Sequence, residues 1–262
     1  MWQGGRGKLK SYAIRFISGR HDTALAKLGT LLLGRMISVS VPHIQGGRIL
    51  DIGCGSGAYL DLMQEVGWET YGVEPSEVGA KWARANGHDV FCGELLDARY
   101  PSAFFDAILM HHVLEHVPNP GAVLRECHRI LKGGGLVLVN VPNFDCYDRV
   151  TFAESWDPLD VPRHLYHFSI STLRQALEQA GFEVMRFRYR TWFTSRQFYS
   201  SSFRSLKESN SSRRRLVRAY IRTFLLKPVQ FLFSTNRGQR FAVTMTAYAR
   251  KMAEGDESGS HG

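Results

Sequence analysis

Residues 48–58 read R-I-L-D-I-G-C-G-S-G-A, and few backbones accommodate such a run. A short apolar stretch, Ile49, Leu50 and Ile52, meets glycine at 53, 55 and 57, and a helical pattern follows. A strand that breaks into a glycine turn and then a helix lets a ligand approach bare backbone. The helix N-terminus behind the turn offers unpaired N–H groups. Gly53-x-Gly55-x-x-Ala58 also fits the dinucleotide pattern G-x-G-x-x-G/A, with Asp51 just ahead of the glycines. The spacing predicts a nucleotide-type cofactor loop. Glu74 ends the next apolar run, 21 residues after the first glycine, where a ribose-binding acid belongs. A carboxylate accepts from both adjacent ribose hydroxyls. An exposed glutamate at a strand end is the plainer alternative.

Strand-like and helix-like stretches alternate downstream. Strands are expected over 69–73, 89–92, 104–110 and 136–141, with helices over 58–66, 76–86 and 121–131 between them. Ser169 and Ser171 are candidate caps for a helix over 172–180, Gly181 stops it, and a sixth strand follows over 182–189. Five alternations predict an α/β fold with a doubly wound sheet and ligand sites at the C-terminal ends of its strands. Residues 241–250, F-A-V-T-M-T-A-Y-A-R, predict a seventh strand, antiparallel at one edge. Helical spacing over 8–40, broken at Ser18-Gly19, predicts two helices ahead of the first strand. The expected organisation is an N-terminal helical cap (1–45), a ligand-binding domain (46–253) carrying an insertion at about 195–238, and a disordered tail (254–262).

At 262 residues, 44% apolar and 12% aromatic, the chain is globular and not disordered. Cys54, Cys92, Cys127 and Cys146 form no C-x-x-C pair, which predicts reduced thiols in a cytoplasmic protein. The basic N-terminus lacks the apolar core of a signal peptide. No run approaches the roughly 18 apolar residues of a membrane span. The net charge of +9 is uneven: residues 186–240 carry fourteen Lys/Arg against one acid, Glu208, leaving −4 for the rest. That asymmetry predicts an anionic partner for the basic segment, a membrane surface or a nucleic acid. Leu216, Val217, Tyr220, Ile221, Phe224 and Leu225 form one helical face against Arg213, Arg214, Arg215, Arg218 and Arg222, and Val229, Phe231, Leu232 and Phe233 follow Pro228. Two readings stay open for 213–233: a helix lying in an anionic membrane interface, or one packed on its own sheet with a solvated basic face.

D-I-G-C-G-S-G resembles motif I of the class I S-adenosylmethionine (SAM)-dependent methyltransferases. T-Y-G-V-E at 70–74 and F-D-A-I-L-M-H-H-V-L-E-H-V-P-N-P at 105–120 follow in the family's order. L-K-G-G-G at 131–135 resembles its L-K-P-G-G loop, with Gly133 in place of the proline. The likeness covers roughly 48–190 and points to the branch with ubiquinone-biosynthesis O-methyltransferases and related bacterial enzymes. It implies a Rossmann-like, seven-stranded, mostly parallel sheet with strand seven antiparallel and a helical insertion between strands six and seven. It implies SAM as cofactor, held by Asp51, Gly53, Gly55, Gly57 and Glu74. The acid after Gly93 would accept from the adenine amino group, which is Glu94 with Leu95 beside the ring, and Asp97 is a near competitor. Met110 and His111 would lie at the methionine part, and Arg20 or Arg35 would reach the cofactor from the N-terminal region.

Methyl transfer from a sulfonium asks a protein mainly for alignment. A phenol or alcohol acceptor must also lose a proton, which calls for a base such as histidine. His112 is the first candidate, then His164 and His167 in P-R-H-L-Y-H-F at 162–168. Each has an alternative as a hydrogen-bonding loop histidine. His112, Glu115 and His116 read H-x-x-E-H, which is also a zinc-site spacing on one face of a helical turn. Some ubiquinone-pathway relatives hold a divalent metal around a Glu, Glu, His set there. Histidine replaces the first glutamate in this chain, and L-E-H-V recurs in the family without metal, so no metal is assigned. The expected acceptor is small or lipophilic, a quinone or phenol precursor or a cell-surface sugar, met in the cytoplasm or at the inner face of a membrane. Nucleic-acid and protein amines fit less well, because H-H-V-L stands where such enzymes carry N/D-P-P-aromatic, and N-V-P-N at 140–143 comes after the wrong strand. An NAD-dependent oxidoreductase and a non-catalytic SAM-binding protein are the alternatives.

Overall fold

The computed structural model describes Val41 and residues 44–191, 196–208, 213–226 and 237–253. The expected N-terminal helices with Arg20 and Arg35, the apolar run after Pro228 and the tail lie outside the described residues. Strand β1 (Arg48–Ile52) enters the glycine turn and helix α1 (Ala58–Glu65) leaves it. Strand β2 (Glu69–Glu74) leads to α2 (Glu77–Ala85), capped by the Ser76 hydroxyl accepting from Gly79 N, and then to β3 (Asp89–Cys92). Strand β4 (Phe105–His111) precedes α3 (Pro120–Ile130), where Asn119 caps and Pro120 takes the first helical position. Strand β5 (Leu131–Pro142) is followed by α4 (Tyr147–Phe152), by α5 (Ile170–Gln179) with a Ser169–Thr172 capping box, and by β6 (Phe182–Thr191). The insertion supplies α6 (Arg196–Glu208), α7 (Arg213–Tyr220), a π turn (Ile221–Leu226) and α8 (Arg237–Phe241) before β7 (Ala242–Lys251).

The sheet order is β3-β2-β1-β4-β5-β7-β6. β7 runs antiparallel to both neighbours and the other pairings are parallel. Strand order reverses between β1 and β4, and their C-terminal ends open the crevice in which such sheets bind ligands. The seventh strand is not at an edge, as its alternation had suggested. It lies between β5 and β6 and buries eight consecutive residues, Ala242–Ala249. β6 takes the edge, exposing Glu183, Arg186 and Arg188, charges that discourage pairing with another sheet.

The core follows the two-residue period of the strands. Leu50, Ile52, Ile108 and Met110 pack with Leu124, Ile130 and Leu177 from α3 and α5, whereas Ile49, Ala107 and Leu109 pack with Met63 and Trp68 on the opposite face. Burial on both faces explains why β4 reads as a continuous apolar run. Helix α3 stops one residue earlier than expected, and the glycine loop bulges into the start of β5. Phe105 pairs with Leu131 but Ala107 pairs with Leu136. Lys132 Nζ fastens the bulge to Asp106 at 2.7 Å. Among the described residues no helix is long and apolar enough to cross a membrane.

Candidate active site

The glycine turn needs its glycines for two reasons. Gly53 has φ +73°, and a Cβ there would lie 2.6 Å from Val113 Cγ2. Gly57, the residue before α1, has φ +85°, and its Cβ would lie 2.8 Å from His88 Cδ2. Left-handed backbone and close approach both exclude side chains. Gly53 N donates to Val73 O at 2.7 Å, tying the turn to β2. At the end of β2, Glu74 Oε2 accepts from Gly55 N and Oε1 from Ser76 N, both at 2.8 Å. The acid and the glycine turn, 19 residues apart in sequence, therefore meet directly. Each carboxylate oxygen keeps a further lone pair for a ribose hydroxyl.

A cleft of about 320 Å³ opens at these strand ends. Gly53 and Glu74 line it from β1 and β2, Glu94 and Leu95 from beyond β3, and His112 from beyond β4. Glu94 lines it and Asp97 does not, which distinguishes the two candidate acids. Met110 is fully buried in the core and His111 is exposed, its ring 4.8 Å from that of His112; neither side chain lines the cleft. Val113, His116, Val117 and Val123 do line it. In sequence the three valines are indistinguishable from core, and His116 stands out only as a metal ligand.

Asp51 is buried beneath the turn. Burial first, and then the Glu74 charge, push its carboxyl up to about 8. The folded chain therefore holds a proton that the unfolded chain releases near pH 4. Unfolding loses protons in that window, so this group's contribution to stability falls as pH rises from about 4 to 8. Thermal melting from pH 5 to 9 should show Asp51→Asn losing less stability at the alkaline end than the parent chain. Parallel curves would refute a buried, protonated Asp51.

His112 sits in a left-handed conformation, φ +55°, with its N–H donated to Asn140 O at 3.0 Å. That backbone breaks the helical turn expected across 112–116, and only a single turn forms, closed by His116 N to Val113 O at 2.9 Å. His112 Nδ1 lies 2.8 Å from Oε1 of Glu115, which is fully buried, and among the described residues Glu115 Oε2 has no hydrogen-bond partner. His116 Nδ1–H donates to Arg163 O at 3.0 Å and His164 Nδ1–H to Pro158 O at 2.8 Å. His167 Nε2–H donates to Leu159 O at 2.9 Å. Both loop histidines are thus fastened to the loop's own backbone. Glu115, His116 and His164 each offer a ligand atom within 4.8 Å of the others. Carbonyl partners on Nδ1 leave the lone pair of each ring on Nε2, the arrangement found around metal-bound imidazoles, with Asp160 Oδ2 3.9 Å from Nε2 of His164. These three could hold a divalent cation, and His112 is not of the set.

Residues 20–186 match a family model described as a methyltransferase domain. A probable S-adenosylmethionine-dependent methyltransferase of Mycolicibacterium smegmatis is 33% identical over 145 residues, 54% of this chain and 54% of its own length. A ubiquinone biosynthesis O-methyltransferase of Maricaulis maris is 31% identical over 183 residues, 61% of this chain and 71% of its own. The chain spans about half the length of the first curated relatives it matches. A solved SAM-dependent methyltransferase from Archaeoglobus fulgidus superposes with a TM-score of 0.57 at 21% identity, covering 86% of this chain and 94% of that one. The [4+2]-cyclase SpnF superposes with a TM-score of 0.53 at 21% identity, covering 90% and 86%. The architecture alone therefore does not name the reaction.

Proposed function

Since this chain belongs to the methyltransferase-domain family, whose model spans residues 20–186, we propose that it moves the methyl group of S-adenosylmethionine onto a hydroxyl of a small or lipophilic acceptor. The observation that carries this reading is the Glu74 carboxylate held 2.8 Å from Gly55 N in the cleft that His112 also lines. Glu74 would accept from the ribose hydroxyls and Glu94 from the adenine amino group, with Leu95 against the ring. The carboxylates at 74 and 94 also make the cleft hospitable to a cation. The bound cofactor supplies the activated methyl and its leaving group. The chain's own residues align the acceptor and take its proton. His112 would receive that proton: a Glu115 carboxylate 2.8 Å from Nδ1 favours the Nδ1–H tautomer, which leaves Nε2 as the accepting nitrogen. Val113, Val117 and Val123 give the cleft an apolar wall, which suits a phenol or quinone precursor better than a sugar. None of Cys54, Cys92, Cys127 and Cys146 is in a disulfide, which fits a reducing cytoplasm.

Calorimetry with S-adenosylhomocysteine and with NAD separates this reading from the oxidoreductase alternative. The first should bind and the second should not; the reverse would overturn the proposal. A labelled methyl product from a mixture of phenolic, quinone-precursor and sugar acceptors then distinguishes an enzyme from a silent binder.

A further inference from the structure

Helix α7 and its π turn bury a narrow side and leave a wide one open. Ala219 and Thr223 are buried, and Phe203 of α6 stacks on Tyr220 at 4.4 Å. Phe203 in turn meets Phe152 of α4 edge-on at 4.9 Å. Of the six apolar residues expected on one face, Leu216 is half-buried, whereas Val217, Tyr220, Ile221, Phe224 and Leu225 are exposed, Leu225 to 64%. Packing on the sheet therefore does not account for the apolar stripe. A second stripe, Arg215, Arg218 and Arg222, lines a basin of about 220 Å³ against Thr151, Phe152 and Glu154. Glu154 pairs with Arg215 at 2.7 Å. The basin's lining holds three arginines against that one carboxylate.

We infer that α7 and its π turn dock on an anionic membrane surface, the apolar stripe entering the acyl boundary and the arginine basin taking a phospholipid headgroup. Exposed aliphatic and aromatic residues beside arginines match an interfacial helix, in which burial of the apolar face and attraction to anionic lipid add. RNA would reward the arginines, but it offers nothing to Val217, Ile221 or Leu225. The surplus of thirteen positive charges over residues 186–240 complements a negative surface. The platform is also built into the cleft's surroundings. Asp157 N donates to Ser202 Oγ of α6 at 2.9 Å, joining it to the segment whose Pro158 and Leu159 carbonyls hold His164 and His167.

Flotation of the full chain at low salt should show binding to vesicles of equal phosphatidylcholine and phosphatidylglycerol, and none to phosphatidylcholine alone. Phe224→Ser with Leu225→Ser should weaken partitioning about tenfold or more. Arg218→Gln with Arg222→Gln should weaken it by about fivefold per charge and flatten its salt dependence. All these side chains are exposed or line the basin, so S-adenosylhomocysteine affinity should stay unchanged in both variants, a readout independent of docking. No flotation on the anionic vesicles, or flotation unaltered in both variants, overturns the inference. Salt-sensitive RNA retention without vesicle binding does so too, and assigns the segment to nucleic acid.

Discussion

Glu74→Gln should raise the dissociation constant for S-adenosylhomocysteine by about two orders of magnitude while leaving a folded protein. The carboxylate serves two partners at once. Its oxygens each accept a backbone N–H, from Gly55 and from Ser76 at 2.8 Å, and each has a lone pair left for a ribose hydroxyl. Glutamine has one oxygen and one NH2. Whichever way the amide turns, an N–H donor confronts either Gly55 N–H or Ser76 N–H, so one contact becomes donor against donor. One ribose hydroxyl also loses a charged acceptor. Hydrogen bonds to charged groups contribute about 1.5–3 kcal/mol each, so losing one and weakening another amounts to about 2–4 kcal/mol. At 1.4 kcal/mol per tenfold, that is about thirtyfold to several hundredfold in affinity. Titration calorimetry reads the constant, and thermal melting separates lost affinity from lost fold. An affinity within about threefold of the parent chain would remove Glu74 from the cofactor's ribose and with it the geometry of the proposal.

The first half of this site was legible because backbone geometry left the sequence little choice. Gly53 and Gly57 combine positive φ with neighbours at 2.6 and 2.8 Å from any Cβ, so the turn is written in its glycines. Glu74 followed from spacing along two adjacent parallel strands. The position of β7 was hidden for a different reason. Thr244 and Thr246 alternate with apolar residues and read as a solvent face, yet both are buried, and Thr246 Oγ1 accepts from the Asn140 side chain at 2.7 Å. A satisfied threonine inside a sheet leaves the same trace in sequence as an exposed one. The histidines were partly legible. Spacing of three and four placed His112, Glu115 and His116 on a helix, but the left-handed backbone at His112 takes its ring toward Glu115 while His116 meets His164 at 4.6 Å. That pairing joins two loops 48 residues apart, and no local pattern announces it. Val113, Val117 and Val123 looked like core because a cleft wall and a core wall are made of the same residues.

His112→Asn should lower kcat for a hydroxyl acceptor by about two to four orders of magnitude, the usual weight of a positioned general base. Asparagine suits this position because it tolerates positive φ better than most side chains, and His112 has φ +55°. Its amide can still donate to Glu115, so the buried carboxylate keeps a partner and the turn should persist. What disappears is the nitrogen that takes the acceptor's proton. KM for the acceptor and the affinity for S-adenosylhomocysteine should change little, because neither depends on that proton. Glu115→Gln tests the partner. It can still accept the Nδ1–H but no longer carries the charge that balances the imidazolium formed in the reaction, so kcat should fall, though by less than in His112→Asn. His164→Asn and His167→Asn should have smaller effects, since both rings are held by the carbonyls of Pro158 and Leu159 and serve first to shape the loop. Turnover of His112→Asn within about tenfold of the parent, beside a collapse in either loop variant, would move the proton acceptor onto the covering loop. The acceptor would then have to approach from that side, with its oxygen turned toward the loop and away from the end of β4.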